Sequence, residues 1–364
     1  MTKPLKTRQI CFFYIALLPV IKMFTLPSIL AGITGEDLWL SALVNSFIDV
    51  IVIAVLYFTL KDEDGDFFAV IERRFGKSFA KTVMVFYLLF FLLKTVLPMN
   101  EEKDYVELTL YMTSPTLMTF MSVFIAVIYI SATKLRVLGR VADGVFVIAC
   151  LGYIFMFALA FQNTDVGAIL PIGAHGIKNI FHGAYSSASW FNDGAYFLFF
   201  TGEYVKGKKD GLKIILSACV SALIVVAFTI VFYGTFTSVA FRENFALTEI
   251  SKYTTAINNM ERFDYLPIFA LLFTSVFSLA LPFFFAAELL ARLFPVKRII
   301  AAILASLPSI ALLIFFNEYY FSIENFIERY AGVYFIIFGS IFPVAVATLF
   351  KFGKKEKKYA IFEG

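Results

Sequence analysis

Ten stretches of this chain are apolar for long enough to cross a lipid bilayer, which leaves very few folds open to it. They cover about 10–30, 38–60, 79–97, 117–131, 141–161, 187–200, 212–233, 267–293, 299–316 and 330–349. A helix needs about 20 apolar residues to cross roughly 30 Å of hydrocarbon. Within hydrocarbon only helices and closed barrels satisfy every backbone polar group. Of the 364 residues 60% are hydrophobic and 16% charged, with a mean hydropathy of +0.83, whereas a soluble domain carries about 25% charged residues. These stretches predict an all-α integral membrane protein with ten transmembrane helices and no soluble domain.

The basic residues predict an orientation. With the N-terminus placed inside and the sides alternated, 23 of the 31 Lys and Arg fall inside and six outside, while Lys22 and Lys94 lie within spans. Basic loops stay in the cytoplasm, so both termini are expected there. The net charge of +4 then reflects topology and implies no nucleic-acid partner. The tail Lys351–Lys358 is expected against anionic headgroups. Cys11, Cys150 and Cys219 all fall in spans, which argues against a disulfide framework. The N-terminus runs straight into the first span and does not read as a cleaved signal peptide.

Divided five and five, the spans form two units of opposite orientation: 1–161 and 187–349, followed by a basic tail at 350–364. That is a 5+5 inverted repeat, whose substrate site lies near the midplane between the repeats. Spans one and six are partners by arithmetic, and both are interrupted. The first carries Lys22-Met23-Phe24-Thr25-Leu26-Pro27 and the sixth Trp190-Phe191-Asn192-Asp193-Gly194. The longest polar connections, 162–186 and 234–266, both fall outside.

Pro27 lacks an amide hydrogen and its ring opposes the carbonyl of Met23, so a helix break is expected there; Gly194 marks a second and Pro282 a kink in span eight. A lysine at the bilayer centre costs roughly 2.5–3.5 kcal/mol, so Lys22 must pair with an acid, meet an anionic ligand or lose its proton. Asp49 in span two and Asp193 in span six lie at similar depth, and the sequence leaves the choice between them open. Asn, Asp and Gly favour turns over helix. Unwound backbone at Asn192-Asp193-Gly194 would offer amides and carbonyls to a polar ligand. Trp190 and Tyr196 add flat apolar surface, with interfacial anchoring the plain alternative for Trp190. Tyr87 and Phe91 share a face of span three with Lys94, and Lys94, near the span's end, is expected to snorkel. Glu288 and Arg292 are spaced for an i,i+4 ion pair. The candidate ligand contacts are thus Lys22, Met23, Phe24, Thr25, Tyr87, Phe91, Trp190, Asn192, Asp193, Gly194 and Tyr196, with Lys22, Asp49 and Asp193 coupling charge. His175 and His182 both lie in an outer connection, and no metal-ligand cluster, phosphate loop or supported nucleophile is present. No enzyme activity, metal or cofactor is expected.

Leu26-Pro27-Ser28-Ile29-Leu30-Ala31-Gly32, followed by Gly35-Glu36-Asp37-Leu38-Trp39-Leu40, resembles the start of the spore permease family. Ile169-Leu170-Pro171-Ile172, Gly176-Ile177-Lys178 and Tyr204-Val205-Lys206 resemble it further, as do the length, the ten spans and the basic end. Those proteins are the B subunits of spore germinant receptors, within the amino acid–polyamine–organocation superfamily. The resemblance implies a leucine-transporter-type fold, a cavity between spans one, three, six and eight, and A and C partner subunits. It also implies a place in the inner membrane of a spore and a small germinant such as an amino acid. Buried Lys22 has no match in that pattern and points to an unusual ligand, an acidic one for instance, or to a receptor that needs none. The competing readings are a proton- or cation-coupled amino acid transporter of the same fold and a ligand-free scaffold.

Overall fold

The computed structural model describes residues 5–107, 116–205, 207–252, 265–315 and 319–350. The basic tail, Lys206 and the segment with Asn258, Asn259, Glu261, Arg262 and Asp264 lie outside the described residues. The described chain is helical, and its only β pairing is a bridge between Leu5 and Tyr204.

Span one is built in pieces. α1 (Thr7–Phe12) leads into a π turn (Phe13–Leu17) and a 3-10 turn (Val20–Met23), and α2 (Leu26–Thr34) follows after a break at Phe24 and Thr25. The break therefore precedes Pro27, which sits in the first turn of α2. Its missing N–H is harmless in that turn, because the first amides of a helix have no intrahelical acceptor. α3 (Leu38–Leu60) is span two, and the short α4 (Phe67–Phe75) lies between it and α5 (Lys77–Tyr105). Asp66 caps α4 by accepting from the Ala69 amide at 3.0 Å. Gly76, at φ +89°, turns the chain from α4 into α5, a conformation costly for a residue with a Cβ. α6 (Thr116–Ser131) and α7 (Leu135–Ala160) complete the first repeat.

The second repeat opens with α8 (Ile177–Ser186) and α9 (Gly194–Phe200), separated by seven non-α residues. Helix thus begins ten residues before the expected start of span six at 187. His182 stands on α8, not in an outer connection. α10 (Asp210–Phe236), the short α11 (Ala246–Lys252), α12 (Tyr265–Leu293) and α13 (Arg298–Ile310) follow. Span ten alternates α and π geometry from α14 (Tyr320–Phe326) through α15 (Gly332–Ile336) and beyond. α12 runs through Pro282 without interruption, and α5 through Pro98. Neither proline breaks its helix, so α5 runs past the expected end of span three at 97 and takes in Glu101, Glu102 and Lys103, the last of them expected outside.

Among the described residues six helical stretches are long and apolar enough to cross a membrane: 26–60, 77–105, 135–163, 210–242, 266–293 and 322–350. They contain spans two, three, five, seven, eight and ten. The remaining spans are the broken pair, one and six, and the short pair, four and nine. Among the described residues helix length thus repeats with a period of five spans, as two copies of one unit require. Packing follows the same relation. α3 lies against α10 and α5 against α12, so the equivalent spans of the two repeats meet each other. α11 covers the break of span one, where its Ala246 amide donates to the Phe24 carbonyl at 2.9 Å. α4 packs on α9 of span six through Phe68 and Phe199, whose ring centroids are 5.0 Å apart.

The motif Gly35-Glu36-Asp37 and the distant segment around Gly173 form one piece. Asp37, fully buried, accepts from the Gly173 amide at 2.7 Å and the His175 amide at 3.2 Å. The start of span two thereby fixes the turn that launches α8. Replacing Asp37 by Ala strands two amides, and a buried unsatisfied donor costs about 1–3 kcal/mol. Asp37→Ala is expected to lower the thermal unfolding midpoint in detergent clearly, with Asp37→Asn, which keeps one acceptor, in between. Equal midpoints for Asp37→Ala and the parent chain would remove the strut.

Candidate functional site

Span six lacks regular α geometry between 187 and 193, and its neighbours supply what that backbone needs. One face of α3 carries Ser41, Asn45 and Asp49, one helical turn apart. Ser41 donates to the Ile180 carbonyl at 2.8 Å, and Asn45 donates to the Ala184 carbonyl at 2.8 Å and the Ser187 hydroxyl at 2.9 Å. Asp49 accepts from the Gly194 amide at 3.1 Å, where α9 begins. Asn192 takes the left-handed conformation, φ +64°, donates to the Ala188 carbonyl at 2.8 Å and accepts from Ser340 at 2.9 Å. Close approach explains two glycines: a Cβ on Gly194 would meet Val52 at 2.5 Å, and one on Gly339 would meet Asn192 at 2.4 Å.

The two breaks bring charge together. Lys22, in the 3-10 turn before the first break, forms an ion pair with Asp193 Oδ2. Of the two acids open to it, it therefore takes Asp193, while Asp49 is engaged by the α9 backbone. Lys94 arrives from α5 and lies 3.5 Å from Asp193 Oδ1. It donates to the carbonyls of Ser189, at 3.2 Å, and Phe191. Lys94 is only 2% exposed, so the snorkelling expected of it is corrected: α5 continues past Pro98, which places Lys94 well inside the helix. The cluster balances two lysines against two aspartates. Aromatic faces flank the ammonium groups, with Phe191 4.8 Å from Lys22 and Tyr196 5.7 Å from Lys94, a favourable cation–π arrangement.

The remaining candidates surround this point in layers. Trp190 is buried, and its indole N–H donates to Glu101 at 2.6 Å; it is not an exposed interfacial anchor. Glu101 also faces Thr25 in the first break, and Glu102 accepts from Ser275 of α12 at 2.7 Å. Met23 and Phe24 are buried, with Phe24 edge-on to Tyr105 at 5.6 Å. Tyr87 points away from the charges and donates to the Phe338 carbonyl at 2.8 Å. On the other side Phe91, Tyr196, Phe199 and Phe285 form a layer with centroid separations of 4.5–5.7 Å. Past that layer opens a cavity of about 490 Å³ lined by Phe199, Phe285, Arg136, Arg140, Glu288 and Arg298 among others. Glu288 pairs there with Arg292, at 2.9 Å, and with Arg298, and Arg292 also pairs with Asp66.

The cluster itself is closed. Its cavity, about 20 Å³ beside Tyr14, Lys22, Ser46, Asp49, Asp193 and Ser221, has room for one water and not for an amino acid. The hydroxyls of Tyr14, Ser189 and Tyr196 are buried without a hydrogen-bond partner. Buried polar groups are normally paired, so these mark a place where another polar group can be received. Sequence reasoning missed Lys94, Glu101, Ser41 and Asn45. The last two carried a signal, since Ser41, Asn45 and Asp49 recur at i, i+4 and i+8 in an otherwise apolar span.

Removing one partner of a buried ion pair costs about 3–5 kcal/mol, because the other charge is left behind. Asp193→Asn, which leaves both lysines without their shared carboxylate, is expected to destabilise the protein more than Lys22→Met. The double variant Lys22→Met/Asp193→Asn should lose less than the sum of the two, read as thermal unfolding in a double-mutant cycle. Strict additivity would dissolve the pair.

Comparison with solved structures identifies the architecture. MhsT, in a crystal structure in complex with L-phenylalanine, matches with a TM-score of 0.65 at 14% identity, over 95% of this chain and 90% of that one. The manganese transporter of Eremococcus coleocola, in complex with an aromatic bis-isothiourea substituted compound, matches at 10% identity over 93% of this chain and 78% of that one, with a TM-score of 0.49. No curated protein matches. The likeness to MhsT establishes a leucine-transporter-type fold of two inverted five-span repeats, and this chain's own long apolar helices make it a multi-pass membrane protein. The sequence profile of the family described as Spore germination protein matches residues 4–326, and the chain belongs to that family, the spore permeases.

Proposed function

We propose that this chain is the B subunit of a spore nutrient germinant receptor. It binds a small polar germinant, such as an amino acid, at the midplane between spans one, three, six and eight. One observation carries this reading: the paired breaks bring Lys22, Lys94 and Asp193 to a single buried point ringed by unpaired hydroxyls. Intramembrane charges are expensive and mark functional sites. A ligand that pairs with these groups in one arrangement of spans one and six, and not in the other, shifts the population between them. Partner A and C subunits would read that shift. The end bearing Arg73, Arg136, Arg292 and Arg298 faces the cytoplasm by its basic charge, so both termini lie inside, and the membrane is the spore inner membrane.

A second reading has an observation of its own. The cavity of about 490 Å³ behind the aromatic layer is a ready exit path, and it favours a proton- or cation-coupled amino acid transporter. MhsT, of like fold, was crystallised with an amino acid.

Thermal stability of the purified chain against amino acids, nucleosides, sugars and small carboxylic acids tests the site. A ligand at about 100 times its dissociation constant stabilises by about 2.7 kcal/mol. A selective shift, lost in Lys22→Met or Asp193→Asn, is the expected result; a folded chain indifferent to every compound would overturn ligand binding by the isolated subunit. Uptake of the same ligand into proteoliposomes by this chain alone would favour the transporter.

A further inference from the structure

Lys94 ends in an unusual place for a lysine of a membrane span. Two backbone carbonyls of the unwound sixth span, Ser189 and Phe191, accept from its Nζ, with the Ser189 contact at 3.2 Å. Asp193 Oδ1 lies 3.5 Å away, and the Tyr196 ring centroid 5.7 Å. Two carbonyls, a carboxylate and an aromatic face together suit a primary ammonium, which has three N–H donors and one positive charge to place. Unwound backbone of a broken span is where such folds hold cations. The side chain is buried along its whole length, so the ammonium is delivered from within the protein.

We propose that the Lys94 ammonium is a tethered occupant of this site. It fills the position at the broken sixth span that a free primary ammonium would otherwise take. This refines the ligand-site reading above. Asp193 already serves Lys22 and Lys94, and Asp49 is engaged by the Gly194 amide. A further ammonium would make three cations share Asp193. The free ligand therefore enters through an anionic or neutral polar group and meets Lys22 and Lys94 as donors. A zwitterion's amine binds at this position only where Lys94 leaves it.

Chemical rescue tests the assignment. Lys94→Ala removes a segment with the shape and charge of n-propylammonium. The purified variant is expected to unfold at a lower temperature than the parent and to be restored, saturably, by n-propylammonium. The neutral isostere n-propanol should not restore it, and neither the parent chain nor Lys94→Met, whose stem fills the space, should respond. If n-propylammonium acts no better than n-propanol on Lys94→Ala, or raises all three chains alike, the proposal fails. Should Lys94→Ala not fold, the parent chain still decides: a saturable stabilisation of it by n-propylammonium, lost in Asp193→Asn, would show the position open and overturn the assignment, and no such shift is expected. These measurements need no germinant, so rescue can succeed where the compound panel fails, and the reverse.

Discussion

A helix interrupted inside a membrane exposes amides and carbonyls to a medium that cannot hydrogen-bond them. Each unsatisfied group there costs several kcal/mol. The described residues contain two such interruptions, and much of the surrounding structure is arranged to satisfy them. α3 brings a hydroxyl, an amide and a carboxylate to successive turns along the sixth span. α5 brings an ammonium group to its carbonyls, and α11 an amide to the first break. The loosened turn of the first span is served in the same way: Tyr153 donates to the Ala16 carbonyl at 2.8 Å and Ser278 to the Leu17 carbonyl at 2.5 Å. The polar residues of these spans follow from the breaks they serve.

The same requirement explains why the charges are tolerated. Lys22, Asp49, Lys94 and Asp193 would each be costly alone in hydrocarbon. Together they sum to zero, and hydrogen bonds to backbone take part of the capacity of Asp49 and Lys94. Buried ion pairs of this kind add little stability over an apolar core and are best regarded as specifying one arrangement. Here that arrangement holds three spans at one point, since Lys22 belongs to span one, Lys94 to span three and Asp193 to span six. The aromatic layer of Phe91, Tyr196, Phe199 and Phe285 separates this point from the open cavity at the basic end.

The spans and their pairing were legible because they rest on composition and arithmetic. Apolar runs must cross, and breaks at equivalent places in two halves stand out against Leu, Ile and Phe. Depth was harder to read. Pro98 and the charges at 101–104 look like the end of a span, so Lys94 looked close to water. The helix continues because Glu101 and Glu102 find Trp190 and Ser275 inside the bundle, and no local pattern announces a tertiary partner. The outer half of span six was hidden for a related reason. Lys178, His182 and the glycines of Gly176–Gly183 give α8 a polar, turn-like composition, yet Ser41, Asn45 and Asp37 supply its contacts and its starting turn. The choice of Asp193 over Asp49 for Lys22 depends on helix rotation, which spacing alone leaves open.

A closed cluster also sets a condition on anything that opens it. A ligand admitted to this point must replace the contacts it displaces, and it biases the protein only by its difference in affinity between the closed and open arrangements. Moving an equilibrium from 1:99 to 99:1 takes about 5.5 kcal/mol of such difference, more than the 0.5–1.5 kcal/mol or so of one ordinary hydrogen bond. A small molecule reaches it by engaging several charged or polar groups at once, and Lys22, Lys94, Asp193 and the free hydroxyls of Tyr14, Ser189 and Tyr196 offer that number in one place. Because Asp193 holds two spans to a third, a ligand that takes over either lysine loosens span one or span three from span six. The local exchange of partners then becomes a movement of whole helices.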